Sequence, residues 1–374
     1  MASRDPVSST PLTRREFVMK ASLLGAVPGV VASERVHAAD PSYDAVARAL
    51  RTPLRQVSEP EALQYELVRC ATLAANGHNT QPWKFGLSPD RIALRPDFSR
   101  RTPAVDPDDH HVWVSLGCAT ENLVLAAAAL GRHAEVKVGP QEVDVTFDSA
   151  APAETPLVDA IFARQCTRAE YDGRPLPNEI VTDLERAAAR PGIRLLLVTD
   201  RARVEGLLEY VTQANSAQMR DPAFVAELKH WIRFNDVEAI TAGDGLFTRT
   251  TGNPALPSWL AGPLFSLFFR ETSENDRYAK QLRSSAGVAI FSGEGSSPAH
   301  WFEVGRAYER FALAATALGV RTAFVNQPIE VPAIRSPFAS WLGLGTQRPD
   351  LVVRFGRGQQ MPYSLRRPVV QVIG

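Results

Sequence analysis

The sequence contains two versions of one helical segment. When residues 113–131 are aligned with residues 301–319 at a constant offset of 188 and without a gap, ten positions are identical, including Gly117 and Gly305. Both copies are rich in alanine, lack proline and end at a glycine in the C-cap position, which predicts a buried helix. Because alanine-rich faces allow helices to approach closely, we expect the two copies to pack against each other at the centre of a pseudo-symmetric pair.

Composition supports a large globular chain with two related halves. The 374 residues are 45% apolar, which suffices for a large core and for two domain-sized units. We predict an N-terminal half over residues 41–150 and a C-terminal half over 151–374, with an insertion at about 220–285. The 41 basic residues balance the 41 acidic ones, so charge favours neither nucleic acid nor an anionic membrane as partner.

The first 38 residues have the pattern of an export signal. Arg14-Arg15 precedes a modestly apolar run, Ala21 to Ala32, and a small-residue cleavage pattern ends at Ala38. The alternative, a membrane-spanning helix, needs about 20 apolar residues, whereas this run contains a proline and two glycines. The paired arginines favour the twin-arginine route. We therefore expect a periplasmic mature protein without a membrane span.

A loop dense in polar groups follows the first predicted helices. It reads Asn76-Gly77-His78-Asn79-Thr80-Gln81-Pro82-Trp83-Lys84. Asn79 and Gln81 each carry an amide donor and a carbonyl acceptor, and His78 adds a ring nitrogen, so the loop could present groups to a flat heteroaromatic ligand. The alternative is a helix C-cap followed by a turn.

Four arginines lie near the two ends of the second half: Arg164, Arg168, Arg366 and Arg367. Planar guanidinium forks suit a phosphate dianion, although each residue could equally be an ordinary surface arginine. Arg51 and Arg55 open the first half in a parallel way. Two runs, Ile193 to Val198 and Leu351 to Phe355, predict strands, and Val369 to Ile373 predicts a terminal strand.

Metal binding and disulfides receive little support. His110 and His111 are adjacent, so their rings diverge, and no third ligand is evident, which predicts no metal site. Cys70 and Cys118 lie in apolar helical patterns and are expected to be buried core residues.

Several of these segments resemble the flavin-dependent nitroreductase family. The polar loop is similar to its S-x-x-N-x-Q-P-W loop, with Gly77 in place of serine, and Arg164 to Arg168 is similar to its Arg-x-Ser-x-Arg/Lys motif, with Cys166 in place of serine. Pro328-Ile329-Glu330 resembles the family's P-I-E-G turn, with Val331 in place of glycine. The segment order is similar to the single-chain Acg-like members.

The resemblance implies an α+β, nitroreductase-like fold in which two half-repeats form an intramolecular pseudo-dimer. It implies FMN as cofactor and reduction of a nitroaromatic, a quinone or a similar acceptor through flavin N5, with small-molecule donor and acceptor. His78 is a candidate proton donor, and the insertion would form a lid. The alternative is a protein that holds FMN under the lid with little or no turnover. The implied FMN-binding residues are Asn76, Gly77, His78, Asn79, Gln81, Arg164, Cys166, Arg168, Glu330, Arg366 and Arg367.

The two halves contain different parts of this set of implied FMN-binding residues. The amide-rich loop occurs only in the first half, and the full arginine set only in the second. One complete combination therefore remains, which predicts one FMN in each chain and a monomer that acts as a pseudo-dimer.

Overall fold

The computed structural model describes residues 42–57, 59–153, 156–257, 259–260, 265 and 269–374. The predicted export signal, residues 1–38, lies outside the described residues. The described residues belong to one compact unit, Pro41–Gly374, in which helices and strands are mixed. The expected α+β class is therefore confirmed.

Helices occur along the whole described chain. Within the described residues they are α1 Tyr43–Leu50, α2 Pro60–Thr72, α3 His110–Ala129, α4 Leu157–Ala163, α5 Asn178–Ala188, α6 Arg201–Arg220, α7 Pro222–Trp231, α8 Asp236–Ala242, α9 Glu271–Arg283, α10 Pro298–Ala317, α11 Gln327–Glu330, α12 Pro332–Trp341 and α13 Val369–Val372.

The described strands form two four-stranded sheets and one short pair. They are β1 Trp83–Ser88, β2 Arg91–Pro96, β3 Arg132–Val138, β4 Val143–Ser149, β5 Ile193–Val198, β6 Ile232–Arg233, β7 Leu246–Phe247, β8 Gly287–Gly293, β9 Arg321–Phe324 and β10 Leu351–Gly356. The first sheet has the order β1-β2-β4-β3 and the second β5-β8-β10-β9, and all neighbours in both are antiparallel. The predicted strands at 193–198 and 351–355 are observed.

The repeated segments form the two central helices, α3 and α10, which cross in direct contact. A Cβ atom at Gly117 would lie 2.0 Å from the carbonyl oxygen of Phe302, and one at Gly305 would lie 2.0 Å from that of Val114. Only glycine fits at both positions. The identical glycines of the repeat therefore mark the point where the two helix backbones meet, as the expected pairing of the copies requires.

Helix α3 is long and apolar enough by composition to cross a membrane, but 83% of its apolar stretch is buried inside the protein. It contributes to one core with α10 and with both sheets. Cys70 and Cys118 are buried in this core, as expected, and both are free thiols. Burial on this scale is typical of the central helix of a globular fold.

The C-terminal tail runs from the second half onto the first. Val372 is fully buried, Ile373 forms a parallel bridge with Phe85 of β1, and the amide nitrogen of Gly374 donates to the Phe85 carbonyl at 3.0 Å. The predicted strand at Val369 to Ile373 is wrong, since residues 369–372 form a short helix after Pro368. Packing of the tail against the first half outweighs the strand preference of its valines.

The close contact between α3 and α10 predicts that one added methyl group at this point strongly destabilises the protein. Gly117→Ala should destabilise the protein by about 3 kcal/mol or more, because the new atom meets a backbone carbonyl that cannot move alone. Gly86→Ala is the matched control, since its Cβ would find its nearest neighbour at 3.7 Å. Urea unfolding measures both. A Gly117→Ala protein as stable as the wild type would contradict the close crossing, because alanine intrinsically favours a helix by about 1 kcal/mol.

Candidate functional site

The polar loop has an unusual backbone. It begins after α2 and contains a single 3-10 turn, Gly77–Asn79. His78, Asn79 and Gln81 have φ angles of 47°, 55° and 54°, in the left-handed region that side chains disfavour. Such a conformation persists only when surrounding contacts hold it.

The side chains of Asn79 and Gln81 supply those contacts. Asn79 Nδ2 donates to the carbonyls of Gly245 and Leu365, both at 3.1 Å. Gln81 Nε2 donates to the Gly243 carbonyl at 2.9 Å, and its Oε1 accepts from the Arg367 amide at 2.8 Å. Both amides tie the loop to the insertion and to the C-terminal tail, and their predicted contact with a ligand stays a prediction.

Gly77, near the start of the loop, lies at a small crevice. Asn76 Oδ1 accepts from the Gln81 amide at 2.9 Å, which closes the loop on itself. A Cβ atom at Gly77 would meet only His111 Cβ, at 3.9 Å. Gly77 and His111 line a small crevice between the loop and the first turn of α3.

Three of the four predicted phosphate arginines are occupied by the protein itself. Arg366 Nη2 donates to the carbonyls of Leu73 and Ala74, at 3.1 and 3.0 Å, and its Nη1 donates to Asn79 Oδ1 at 2.9 Å. Arg164 Nη2 donates to Leu73 O at 2.8 Å. Arg367 Nη2 donates to the Gln81 carbonyl at 2.8 Å.

The physical reason lies in the end of α2. The last carbonyls of a helix have no partner within the helix, and this helix leads into a loop whose left-handed residues cannot continue it. Guanidinium groups from the second half fill that role. Arg164 and Arg366 thus hold the start of the loop, and Arg367 holds Gln81. Their predicted contact with a phosphate stays a prediction.

Arg164 also belongs to a buried ion pair. Its Nε lies 3.0 Å from Glu309 Oε1, and both side chains are almost fully buried. Glu309 Oε2 in turn accepts from the amide of Ala75, directly before the loop, at 3.2 Å. Removing one member would leave a buried charge unpaired, so the pair fixes the junction between α10 and the loop.

Arg168 is the remaining arginine of the set. It is half-buried, and its guanidinium has neither a hydrogen bond nor an ion pair within the described part of the chain. Its backbone is fixed, since the Arg168 carbonyl accepts from Gln281 Nε2 at 2.6 Å. Cys166 lies two residues earlier, where a backbone bridge joins it to Thr322, and its thiol is free. A fixed backbone with an uncommitted cation suits an anionic ligand.

His78 lies near Arg168 of the second half and His111 of the first half, close enough for both to affect its pKa. Burial, then the charges of Arg168 and His111, lower the pKa of His78 to about 4, so its ring is uncharged at neutral pH. Its Nδ1 is buried without a hydrogen bond within the described residues. The predicted proton-donor role therefore stays a prediction, and it is restricted to the neutral ring.

Glu330 belongs to the second half and lies at the end of a short helix. The predicted turn at Pro328 to Glu330 is observed as the one-turn helix α11, and Gln218 Nε2 donates to Glu330 Oε2 at 2.7 Å. Burial raises the pKa of Glu330, and the nearby charge of His111 opposes that shift. No motif in the sequence pointed to Gln218, which lies in the long helix α6.

The insertion is bonded to the first half. Glu227 accepts from the amides of Ala104 and Val105, at 2.9 and 3.3 Å. Asp244 pairs with Arg233 at 2.6 Å and also with Arg100. Arg100 also donates to the Thr80 carbonyl, so the Arg100–Asp244 pair holds the segment around residue 244 against the polar loop. Trp231 is buried and packs against Arg100, so this aromatic joins the insertion to the body.

A third potential metal ligand lies beside the two adjacent histidines. Potential ligand atoms of Asp106, His110 and His111 all lie within 4.8 Å of one another. Asp106 is a third potential ligand that is not evident from the sequence, because a loop before α3 brings it back to the first turn of the helix.

Curated relatives cover most of the chain. A "Putative NAD(P)H nitroreductase" of Mycobacterium tuberculosis is 27% identical over 324 residues, which span 81% of this chain and 88% of the relative. The "Putative NAD(P)H nitroreductase acg" of the same species is 24% identical over 322 residues, spanning 82% and 93%. No family model matches the chain.

Solved structures match at lower overall similarity. A "Putative NADH dehydrogenase/NAD(P)H nitroreductase" from Parabacteroides distasonis has a TM-score of 0.36 and 18% identity, and covers 59% of this chain and 98% of its own. A nitroreductase with bound FMN from Bacteroides fragilis has a TM-score of 0.34 and 16% identity, with 55% and 90% covered. Because both TM-scores lie below 0.5, the relationship rests on the curated sequence relatives.

The anchoring role of Asn79 gives a stability prediction. Asn79→Ala should destabilise the protein by about 2–4 kcal/mol, because three buried hydrogen bonds are lost, to the carbonyls of Gly245 and Leu365 and from Arg366. Asn79→Gly relieves the positive φ, so a loss that persists in this variant isolates the hydrogen bonds from backbone strain. Asn178→Ala, at an exposed position in α5, is the control. Thermal or urea unfolding would contradict the anchoring role if Asn79→Gly were as stable as the control.

Proposed function

We propose that this chain, which belongs to the nitroreductase superfamily and has Acg-like proteins among its relatives, is an FMN-dependent oxidoreductase. The observation that carries the proposal is an uncommitted cation from the second half, Arg168, opposite a polar loop from the first half that is held rigidly in place. Together with the curated relatives, this arrangement favours a flavin site built from both halves.

The types of side chain at the candidate site suit FMN. Arg168 would hold the phosphate, since it is the one arginine of the predicted set without a partner among the described residues. Buried polar atoms without a hydrogen bond, His78 Nδ1 and Gln327 Oε1, are available to the polar groups of an isoalloxazine ring. Arg164, Arg366 and Arg367 would act indirectly, by fixing the loop. When bound, FMN supplies the electron-transfer chemistry, and the protein supplies position and charge.

We propose small molecules as both electron donor and acceptor. The curated relatives bear the name NAD(P)H nitroreductase, which favours a nicotinamide donor, and a nitroaromatic or a quinone is the proposed class of acceptor. A single chain would complete the site, because both halves of the repeat contribute to it. The uncharged ring of His78 could donate a hydrogen bond to a bound acceptor.

Export remains a proposal from residues 1–38 alone. The paired arginines favour the twin-arginine route, which would carry the protein already folded around its cofactor into the periplasm. Replacing Arg14 and Arg15 by lysine and fractionating the cells tests this, since unchanged periplasmic accumulation would remove the assignment.

A flavin-holding protein without turnover is the second candidate. The bonds from Glu227 to Ala104 and from Asp244 to Arg100 favour it, because an insertion held to the first half in this way could deny substrates access to the ring. Its distinguishing property would be a flavin that a small strong reductant reaches and a nicotinamide does not.

Turnover separates the two candidates. We expect NADPH or NADH to bleach the flavin absorbance of the mature protein under anaerobic conditions, and a nitroaromatic or a quinone to restore it. Bleaching by dithionite but by neither nicotinamide would contradict a nicotinamide-driven reductase and favour the flavin-holding protein.

Flavin binding tests the site itself. Arg168→Ala should weaken FMN binding by about ten- to a hundred-fold, because loss of one charged hydrogen bond costs about 1.5–3 kcal/mol. Arg55→Ala, the counterpart in the first half, should leave FMN binding unchanged, since Arg55 is committed to Glu66 at 2.7 Å. Titration of the apoprotein should end at one FMN per chain. Equal losses in the two variants, or a stoichiometry of two, would contradict the single site.

A further inference from the structure

Three side chains at the N-terminal end of α3 converge without an assigned role. They are Asp106, His110 and His111, whose potential ligand atoms lie within 4.8 Å of one another. Asp106 is fixed in position, because its carboxylate accepts from the amide of His111 at 3.0 and 2.9 Å and from that of Val112 at 3.3 Å. These bonds leave carboxylate lone pairs available for a further partner.

His110 is a buried imidazole whose Nδ1 has no polar partner among the described residues, while its Nε2 lies within ion-pair distance of Asp350. Its side chain is fully buried, and neither ring nitrogen has a hydrogen bond to the described residues. Leaving such a group unpaired is costly, so each case in a native structure calls for a physical explanation. A bound ion would provide one.

A carboxylate stands behind His110. Asp350 Oδ1 lies 3.0 Å from His110 Nε2, without the alignment of a hydrogen bond, and Asp350 Oδ2 accepts from the Gly293 amide at 2.7 Å. Histidines that bind metals commonly have a carboxylate behind the ring, which orients it and raises its basicity. Asp350 is held in the place such a partner would occupy.

His111 connects the cluster to solution. It is half-buried and lines the crevice below the polar loop, together with Asp106, Thr80 and Ser115. An ion could therefore enter from the crevice and keep a water molecule on that side. The cations nearby are already engaged, since Arg348 pairs with Asp108 and Arg335 donates to the Ile329 carbonyl.

We propose that Asp106, His110 and His111 bind a divalent transition-metal ion of the Zn²⁺ class. Two imidazole nitrogens and one carboxylate oxygen are a donor set that Zn²⁺ accepts, with a fourth position left for water. Ligand atoms around tetrahedral zinc lie about 3.4 Å apart, so binding requires the three side chains to draw together by small rotations. The ion would pin the loop carrying Asp106 to the first turn of α3.

The test is zinc binding to tag-free, flavin-loaded mature protein. After chelator treatment and dialysis, calorimetric titration with zinc sulfate should give one Zn²⁺ per chain, and the metal should remain after gel filtration. His111→Ala should weaken binding at least about tenfold. His133→Ala, at an exposed histidine of β3, is the control and should bind zinc as the wild type does.

A second variant distinguishes the loss of a metal ligand from the loss of the fold. Asp106→Asn keeps an oxygen acceptor for the two helix amides but removes the ligand charge, so it should fold like the wild type and bind zinc more weakly. Circular dichroism and the flavin spectrum check the fold of each variant. Absence of stoichiometric zinc from the wild type would overturn the site, and so would equal affinities in His111→Ala, Asp106→Asn and the His133→Ala control.

Discussion

The direct contact between α3 and α10 is the constraint on which the arrangement of this protein depends. At Gly117 and Gly305 each helix backbone lies against the carbonyl group of the other, with no room for a Cβ atom. Two helices this close have few relative positions open to them, because neighbouring side chains must interdigitate around the contact. The crossing therefore fixes how the two sheet-bearing halves face each other.

Buried ion pairs also hold the two central helices in place, and the ion pairs differ between the two copies of the repeat. The repeat places Glu121 and Glu309 at equivalent positions, and both are fully buried. Glu121 binds Arg306 at 2.7 Å and Arg310 at 2.8 Å, both from α10 itself. Glu309 instead reaches Arg164 and the amide before the polar loop. One glutamate thus joins the two central helices, and the other fixes the candidate flavin site.

The same asymmetry explains why the polar loop needs both halves. Three of its residues have positive φ, and it keeps that shape through bonds to Arg366, Arg367 and the insertion near Gly243. The C-terminal tail that delivers these arginines ends on strand β1 of the first half. A first half alone would have neither the carbonyl partners nor the guanidinium groups that hold the loop.

The sequence predicted those features that follow from a repeated pattern. The gapless repeat indicated paired central helices, and runs of β-branched residues located strands such as Ile193–Val198 correctly. It could not show whether an arginine faces a ligand or a helix end, because a guanidinium suits phosphate and orphaned carbonyls equally well. Arg366 is an example, since its guanidinium reaches the carbonyls of Leu73 and Ala74. Asp106 was missed because only the folded loop brings it next to His110 and His111.

We propose that one chain builds one complete flavin site from its two halves. Sedimentation velocity of the mature, flavin-loaded protein tests this when the boundary is followed both at a protein wavelength and in the flavin absorption band. We expect flavin to sediment with single chains over the whole concentration range. Flavin that sediments only with dimers, and dissociates as they dilute into monomers, would contradict it.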